Sequence, residues 1–450
     1  MFSKMLEWIR KLFSKLTGDD KAAVTDVCLS GEMETALAIW TDMYSGVNKS
    51  QLAASIAAEF ARLVTAEMKA EVSGSPRADY INSVFLEVVN CLRRQTEFAC
   101  AKGGMVFKPY VSGDELRVEF VQADSFFPSE FDSSHRLTGA VFVEQINRKG
   151  TIYTRLEGHT MDGDTAVIRN KAYASRTSSM LGHDIALSDV PEWATLEEEI
   201  RIENAKRPLF AYFRMPFANN VDTSSPLGAS VYSRTVDDIR DADEQYERMI
   251  WEFRGGELAV HSAEGFLRPD PNGGASLPKN QQRLFQSFGT ADPDFYKVFS
   301  PMLRDQSLIN GLNAILRRVE FKCSLAYGTL SDVQATDKTA EEIKASKQRS
   351  YSAVSDIQKS LEAALRELVE ILDILCTLYH LAPPGKIQQA YEWDDSIVAD
   401  RKTEFAERMQ LQTSSKLRPE LNIAWYFGVD EDKALEMMSS GEEADVWGGI

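Results

Sequence analysis

At 450 residues the chain exceeds what one hydrophobic core usually serves, and its 44% hydrophobic and 26% charged content is ordinary for a folded protein, so two or more packed regions are expected. A net charge of −18 and a pI near 4.9 exclude a surface built to grip nucleic acid through many phosphate contacts, though not one that lets nucleic acid slide past. Five scattered cysteines (Cys28, Cys91, Cys100, Cys323, Cys376), odd in number and without a CxxC pair, suggest neither a disulfide framework nor a structural zinc site and fit a reducing compartment.

Residues 1–16 read MFSKMLEWIRKLFSKL, with Phe2, Met5, Leu6, Ile9, Leu12, Phe13 and Leu16 on one face and Lys4, Arg10, Lys11 and Lys15 largely elsewhere. Such a basic amphipathic helix can lie on a membrane or dock on an acidic protein, and the charge difference favours docking. It has no small-residue cleavage site, which argues against a signal peptide. Gly18, Asp19 and Asp20 break it. No apolar run approaches the roughly 18 residues of a membrane span.

Helical spacing predicts helices over residues 33–44, 49–69 and 79–101, the last carrying Ile81, Val84, Phe85, Val88, Leu92 and Phe98. After Gly103 and Gly104 the period falls to two, and MVFKPYV, a turn at residues 112–114, and ELRVEFV make a hairpin. Three further strands follow between residues 140 and 173, joined by turns at 148–150 and 161–164, so a small antiparallel sheet is expected. Asp162, Asp164 and Asn170 hint at a calcium loop, but the Gly and Glu spacing is wrong for one and a hairpin turn is the better reading.

A loop rich in Asn, Asp, Ser and Pro at 219–226 launches a helix over 230–254, with Val236, Ile239, Ala242, Tyr246, Ile250 and Phe253 on one face. The other faces carry Asp237, Asp238, Asp241, Asp243, Glu244, Glu247 and Glu252 against Arg234, Arg240, Arg248 and Arg254. Taken alone, this reads as a solvated acidic face about 37 Å long at 1.5 Å per residue. Gly255 and Gly256 stop the helix. Short strands at 257–262, 283–288 and 296–299 make a compact insert, and a second helix runs over 302–327.

Residues 328–338, GTLSDVQATDK, are polar without an apolar run, so a mobile loop is expected. Thr339 and Glu342 form a capping-box signature for a long helix over 339–380. Its stripe of Val354, Ile357, Leu361, Leu365, Leu368, Leu372, Leu375 and Tyr379 asks for a partner helix. Lys338, Lys344, Lys347 and Arg349 precede the stripe and form a candidate phosphate contact beside the loop.

Several collinear stretches resemble the portal proteins of tailed phages, especially phages of Gram-positive hosts: FACAKGGMVFKPYV, FVQADSFFPSEFD, NNVDTSSPLGASVY, KTAEEIKASKQRSY and the closing YEWDDSIVADRKTEFAERM. The resemblance extends from about residue 80 to the end. It implies an α+β, mainly helical subunit of a ring, usually of twelve copies, at one capsid vertex, through which double-stranded DNA is packaged and released. In that frame residues 1–20 are the basic helix, 21–225 a wing, 226–256 and 302–327 two stem helices, and 257–301 a clip. Residues 328–338 become a tunnel loop, 339–381 the long helix, 382–399 a return strand to the wing, and 400–450 a crown.

The implied channel residues are Ser331, Gln334, Thr336, Asp337, Lys338, Lys344 and Lys347 at the loop, with Asp237, Asp238, Asp241, Asp243, Glu244 and Glu247 on the acidic stem helix. The implied partners are copies of the chain, DNA, the terminase large subunit, a head-completion adaptor, and major capsid and scaffolding proteins. The place is the virion vertex, and the host cytoplasm during assembly. No cofactor, metal or catalytic residue is expected, and no stable membrane association.

Enzyme signatures point the same way. GxxxxGK[ST], HExxH and GxSxG do not occur, so the energy for DNA movement must come from a partner. The five histidines, His135, His159, His183, His261 and His380, are read as surface or turn residues. Asp394 and Asp395 are read as an Asx-type turn rather than a Mg²⁺ site. A helical scaffold protein and a peripheral membrane protein using residues 1–16 are the alternatives from other classes.

Overall fold

A computed structural model describes residues 29–46, 50–177, 180–263, 268–269, 275–276, 285–288, 296–332, 340–393, 401–427 and 429–442. Helix accounts for 46% and strand for 25%, which makes the chain α+β with more helix than strand. The basic segment 1–16, the capping-box Thr339, the loop residues Gln334, Thr336, Asp337 and Lys338, and Asp394 and Asp395 lie outside the described residues. The chain divides into two compact units, residues 1–391 and 392–450.

The first unit opens with α1 (Gly31–Ser45), capped by Ser30 Oγ accepting from Met33 N, and α2 (Leu52–Thr65). The helix expected over 49–69 is cut short there. Residues Met68–Ser73 form strand β1, which pairs with β16 (Gln388–Trp393), so backbone partners from the far end of the chain override the local helical pattern. Helix α3 (Pro76–Lys102) starts on a Ser75 cap with Pro at its first position and ends at Gly103, whose φ of 89° is the left-handed conformation favouring glycine. Gly103 also touches the backbone of Gly228, and Met215 N donates to Gly103 O at 3.0 Å.

Strand β2 (Gly104–Ser112) and β3 (Glu115–Gln122) form the expected hairpin, with β10 (Ala211–Arg214) on the other edge of β2. A second antiparallel sheet runs β4 (Phe126–Phe131), β5 (Leu137–Arg148), β6 (Thr151–Asp162), β7 (Thr165–Ser175) and β8 (His183–Ile185), with β9 (Glu199–Ile202) also on β7. Lys149 and Gly150, with φ of 51° and 85°, make the two-residue turn that joins β5 to β6. Asp162 and Thr165 face each other across the β6–β7 turn, and Asn170 is buried in β7, as a hairpin requires. Val106, Val121, Phe126, Leu137, Ala140, Phe142 and Phe210 form one core between the sheets.

Helix α4 (Val236–Gly255) follows a 3-10 turn at Ser233–Thr235; Tyr232, fully buried, donates its hydroxyl to Trp40 O at 2.8 Å and fixes the entry. The insert that comes next holds a three-stranded sheet, β11 (Ala259–Ala263) between β14 (Phe285–Phe288) and β15 (Tyr296–Phe299), with two short strands β12 (Arg268–Pro269) and β13 (Ala275–Ser276). Helix α5 (Asp305–Cys323) is shorter at each end than the expected 302–327 and closes at Ser324, whose φ is 63°. Then comes α6 (Ala340–Leu378).

The α6 stripe does not await another subunit. Val354, Ile357, Leu361, Leu365, Leu368 and Leu372 are all buried within this chain, where α6 packs on β2, β10, α2 and α3. Only Tyr379, at 51% exposure, lies outside that core. Arg77 of α3 holds the helix end, donating to Asp373 Oδ1 at 2.8 Å, Thr377 Oγ1 at 2.6 Å, Ala382 O at 2.7 Å and Pro383 O at 3.0 Å.

The second unit contains α7 (Arg401–Thr413), α8 (Pro419–Phe427) and α9 (Glu431–Glu442). Tyr426 packs on Phe405 at 5.0 Å, Arg408 sits 4.3 Å above Trp425, and Arg418 ties α8 to α9 through Glu431.

Candidate functional site

Helices α4 and α5 run antiparallel along their lengths, and polar clamps fix their register. Asp238, buried on α4, pairs with Arg318 Nε at 2.9 Å and with Lys322. Gln245 Nε2 donates to Leu308 O at 3.2 Å, and at the far end Arg304 forks onto Glu252 at 3.0 and 2.6 Å. The pairing with Arg304 holds the Glu252 carboxyl below the usual carboxylate range. The insert therefore leaves and rejoins a hairpin whose ends are held at both levels.

This hairpin sorts the acids that the sequence groups on one helix. Asp238 is spent inside it, and Asp243 is half-buried and accepts a hydrogen bond from Ser50 Oγ, so neither belongs to an open acidic face. Asp237, Asp241, Glu244 and Glu247 are exposed. Asp237 pairs with Arg240 at 3.3 Å and Glu244 with Arg248, both one helical turn away. The charge that this helix shows to its surroundings is weaker than its composition suggests.

The segment after α5 also differs from expectation in its first five residues. Glu320, fully buried, accepts from Gly328 N at 3.1 Å, Leu330 N at 2.7 Å and Ser331 N at 2.9 Å on one carboxylate oxygen, and from Ser331 Oγ at 2.9 Å on the other. Asn313 accepts from Asp332 N at 3.2 Å. Residues 328–332 are thus pinned to α5, and Ser331 is buried rather than displayed on a loop. A polar sequence looked unanchored because its anchor is a carboxylate eight residues upstream. Of the basic candidates, Lys347 is exposed on α6. Arg349 lies 4.6 Å above the Phe321 ring and 5.7 Å from Tyr327.

A cavity of about 800 Å³ between the two sheets of the first unit is lined by Lys108, Glu119, Arg155, Glu157 and His159 among others. Lys108 pairs with Glu119 at 2.9 Å and Glu157 at 3.1 Å, while Arg155 bridges Glu144 and Glu157. Burial pushes the Glu157 carboxyl upward, but the hydrogen bond from His159 and the charges of Lys108, His159 and Arg155 hold it well below the carboxylate range. His159 corrects the surface-or-turn reading: it is buried, 2.7 Å from Glu157, with its ring edge-on to Phe142 at 5.2 Å. His261 sits on β11, stacked 5.7 Å from Phe299. Burial raises the Cys323 thiol to about 12 and the Cys376 thiol to about 11, so neither is an ionised nucleophile at neutral pH.

A clamped helical hairpin carrying a small β insert, a pinned connector and a long core helix is a build for assembly, with its charges committed to holding elements in place. The family described as "Phage portal protein, SPP1 Gp6-like" matches residues 92–447, and the chain belongs to that family. No curated protein matches the chain. As a portal protein it forms a ring at a capsid vertex, the conduit for double-stranded DNA in packaging and ejection and the platform on which packaging and tail components dock. The family is structural and non-enzymatic. Among the described residues no helix is long and apolar enough to cross a membrane.

Proposed function

We propose that the parts of this subunit divide the portal's work as their order suggests. Residues 21–225 act as the wing, α4 and α5 as the stem, 257–301 as the clip, 328–338 with the start of α6 as the tunnel loop and its base, and 400–450 as the crown. The observation that carries this is the register of α4 on α5, closed at Asp238 and Glu252, because it makes one rigid hairpin with the insert at its tip. The ring in this reading has twelve copies, and as a conduit it must hold DNA weakly. Each phosphate neutralised by Lys or Arg would add counterion-release affinity and brake translocation.

The exposed acids of α4 then keep DNA off the wall, and Lys338, Lys344 and Lys347 touch it briefly beside the loop. The terminase large subunit engages the clip from outside and is later replaced by the head-completion adaptor, while capsid and scaffolding proteins contact the wing. Replacing Lys338, Lys344 and Lys347 together by Ala, or removing residues 333–337, should leave ring assembly intact and impair DNA packaging or retention. Rings of these variants that package and retain DNA as the parent does would show that the channel contacts lie elsewhere.

A further inference from the structure

The crevice of about 800 Å³ between the two sheets of the first unit opens to solvent beside Tyr110 and Tyr379, which are 43% and 51% exposed. Within it Ile168, Leu196 and Ile200 are only half-buried, so apolar surface that the sheets do not close over remains reachable. The buried cations of the crevice are spent, since Lys108 and Arg155 share Glu157 at 3.1 Å each. The carboxylates at its opening are not. Glu119 and Glu144 are exposed, and each is tied through one oxygen alone: Glu119 Oε2 to Lys108 at 2.9 Å, and Glu144 Oε2 to Arg155 at 2.8 and 2.9 Å. The second oxygen of each is thus held in position with no donor among the described residues. Oriented carboxylates beside exposed aromatic rings and apolar walls suit a cationic side chain carried on an apolar segment.

The chain carries such a segment, and the described structure begins close to the crevice. Residues 1–16 place Phe2, Met5, Leu6, Ile9, Leu12, Phe13 and Leu16 on one helical face, Arg10 at its border, and Lys4, Lys11 and Lys15 beyond. Leu29, the first described residue, shares a small cavity with Lys102 and Ala123. Lys102 in turn donates to Gln122 at 2.7 Å and pairs with Asp124, and all three line the crevice. Residues 17–28 span at most roughly 40 Å when extended, so the segment reaches the crevice of its own chain. The net charge of −18 attracts a basic segment to many parts of this surface, whereas the crevice adds apolar walls to the carboxylates.

We propose that residues 1–16 dock across this crevice within their own chain, the apolar face on Leu196 and Ile200 and the basic side chains, Arg10 foremost, on the free oxygens of Glu119 and Glu144. The crevice has the volume of several side chains and not of a whole helix, so the segment lies over the opening with its apolar side chains inserted. This docking does not depend on the division of the subunit into wing, stem and clip. A lipid surface is the competing destination for the same apolar face, but it leaves the oriented carboxylates and the half-buried apolar residues without an occupant.

Limited trypsin digestion of the full chain reads the docking, because Arg10, Lys11 and Lys15 are cut only while the segment is off the crevice. Mass spectrometry should show cleavage after these residues about tenfold faster in Glu119→Gln, Glu144→Gln than in the parent, as expected for the loss of two ion pairs. The far-UV circular dichroism of the parent should be retained. Should that variant not fold, Ile9→Asp, which alters the segment alone, should speed the same cuts. Placement is read separately: Phe2→Cys or Phe13→Cys combined with Tyr379→Cys, in a chain with Cys28 and Cys91 replaced by Ser, should give an intramolecular link with a short bismaleimide. No such link should form when Lys347→Cys replaces Tyr379→Cys. Equal cleavage in the parent and the variants, or no link to position 379 from either end of the segment, overturns the docking. A ladder of linked chains gives the crevice to the segment of a second copy and overturns docking within the chain. Protection that appears only with phosphatidylglycerol vesicles assigns the segment to a lipid surface and overturns it as well.

Discussion

Glu320 accepts four hydrogen bonds on one buried carboxylate, which makes it the residue on which the segment after α5 depends. Truncation to Ala strands three backbone N–H groups and a hydroxyl, each costing about 1–3 kcal/mol when buried and unpaired, partly relieved by water entry. Glu320→Ala should therefore lose roughly 3–5 kcal/mol in urea unfolding. It should also speed tryptic cleavage after Lys338; unchanged stability with unchanged cleavage would show that the pinning is unimportant. Glu157 makes a second residue-scale prediction. Its folded pKa is depressed from 4.5, so the stability it contributes is present above that value and is lost as pH falls below it. Replacing Glu157 by Gln should flatten the acid limb of a stability-versus-pH curve below about pH 4.5, and a limb as steep as the parent's would contradict the assignment.

At the scale of elements, the α6 stripe decides a stability question. Leu361, Leu365 and Leu368 are wholly buried against α2, α3, β2 and β10 of the same chain, so Leu365→Ala should cost about 2–5 kcal/mol through the cavity it leaves. Because the burial is internal, the loss should appear equally in dilute monomer and in assembled material. A defect seen only in the assembled state would give the stripe an intersubunit role. The stripe itself was legible from its spacing, and so were α3, the β2–β3 hairpin and the β5–β6–β7 meander. Their periods are long and unbroken. What covers the stripe was not legible, because its partners lie hundreds of residues away.

The misses share that cause. MKAEVS became β1 because β16 supplies its partners from residue 388 onward, and AYFR is too short at four residues to declare a strand without β2 beside it. FFPSEF contains a proline and a serine and bulges at Pro128 and Glu130 to stay in register with β5. Asp238 looked like its neighbours until Arg318 and Lys322 were placed opposite it. Of the candidate site, the hairpin and its insert could be read from sequence; the division of the acids into clamped and exposed could not, since it depends on which face of α4 meets α5. The Glu320 anchor escaped for a similar reason, as one glutamate within an ordinary helix gives no local sign of the loop it holds.

For the whole molecule, the charge of −18 and a proposed DNA contact through only Lys338, Lys344 and Lys347 set an upper bound on affinity for the cargo. The purified protein should bind double-stranded DNA weakly, with binding lost on raising salt from 50 to 200 mM and a shallow slope reflecting few phosphate contacts. Nanomolar retention at about 200 mM salt would place far more Lys and Arg on the DNA than this account allows. The central claim is that copies of this chain close into a ring around an open channel. Electron microscopy of the purified full chain, imaged across low and high salt, tests it most directly. Closed rings of uniform subunit number with a central hole are the predicted result, and a monodisperse monomer under every condition would contradict it.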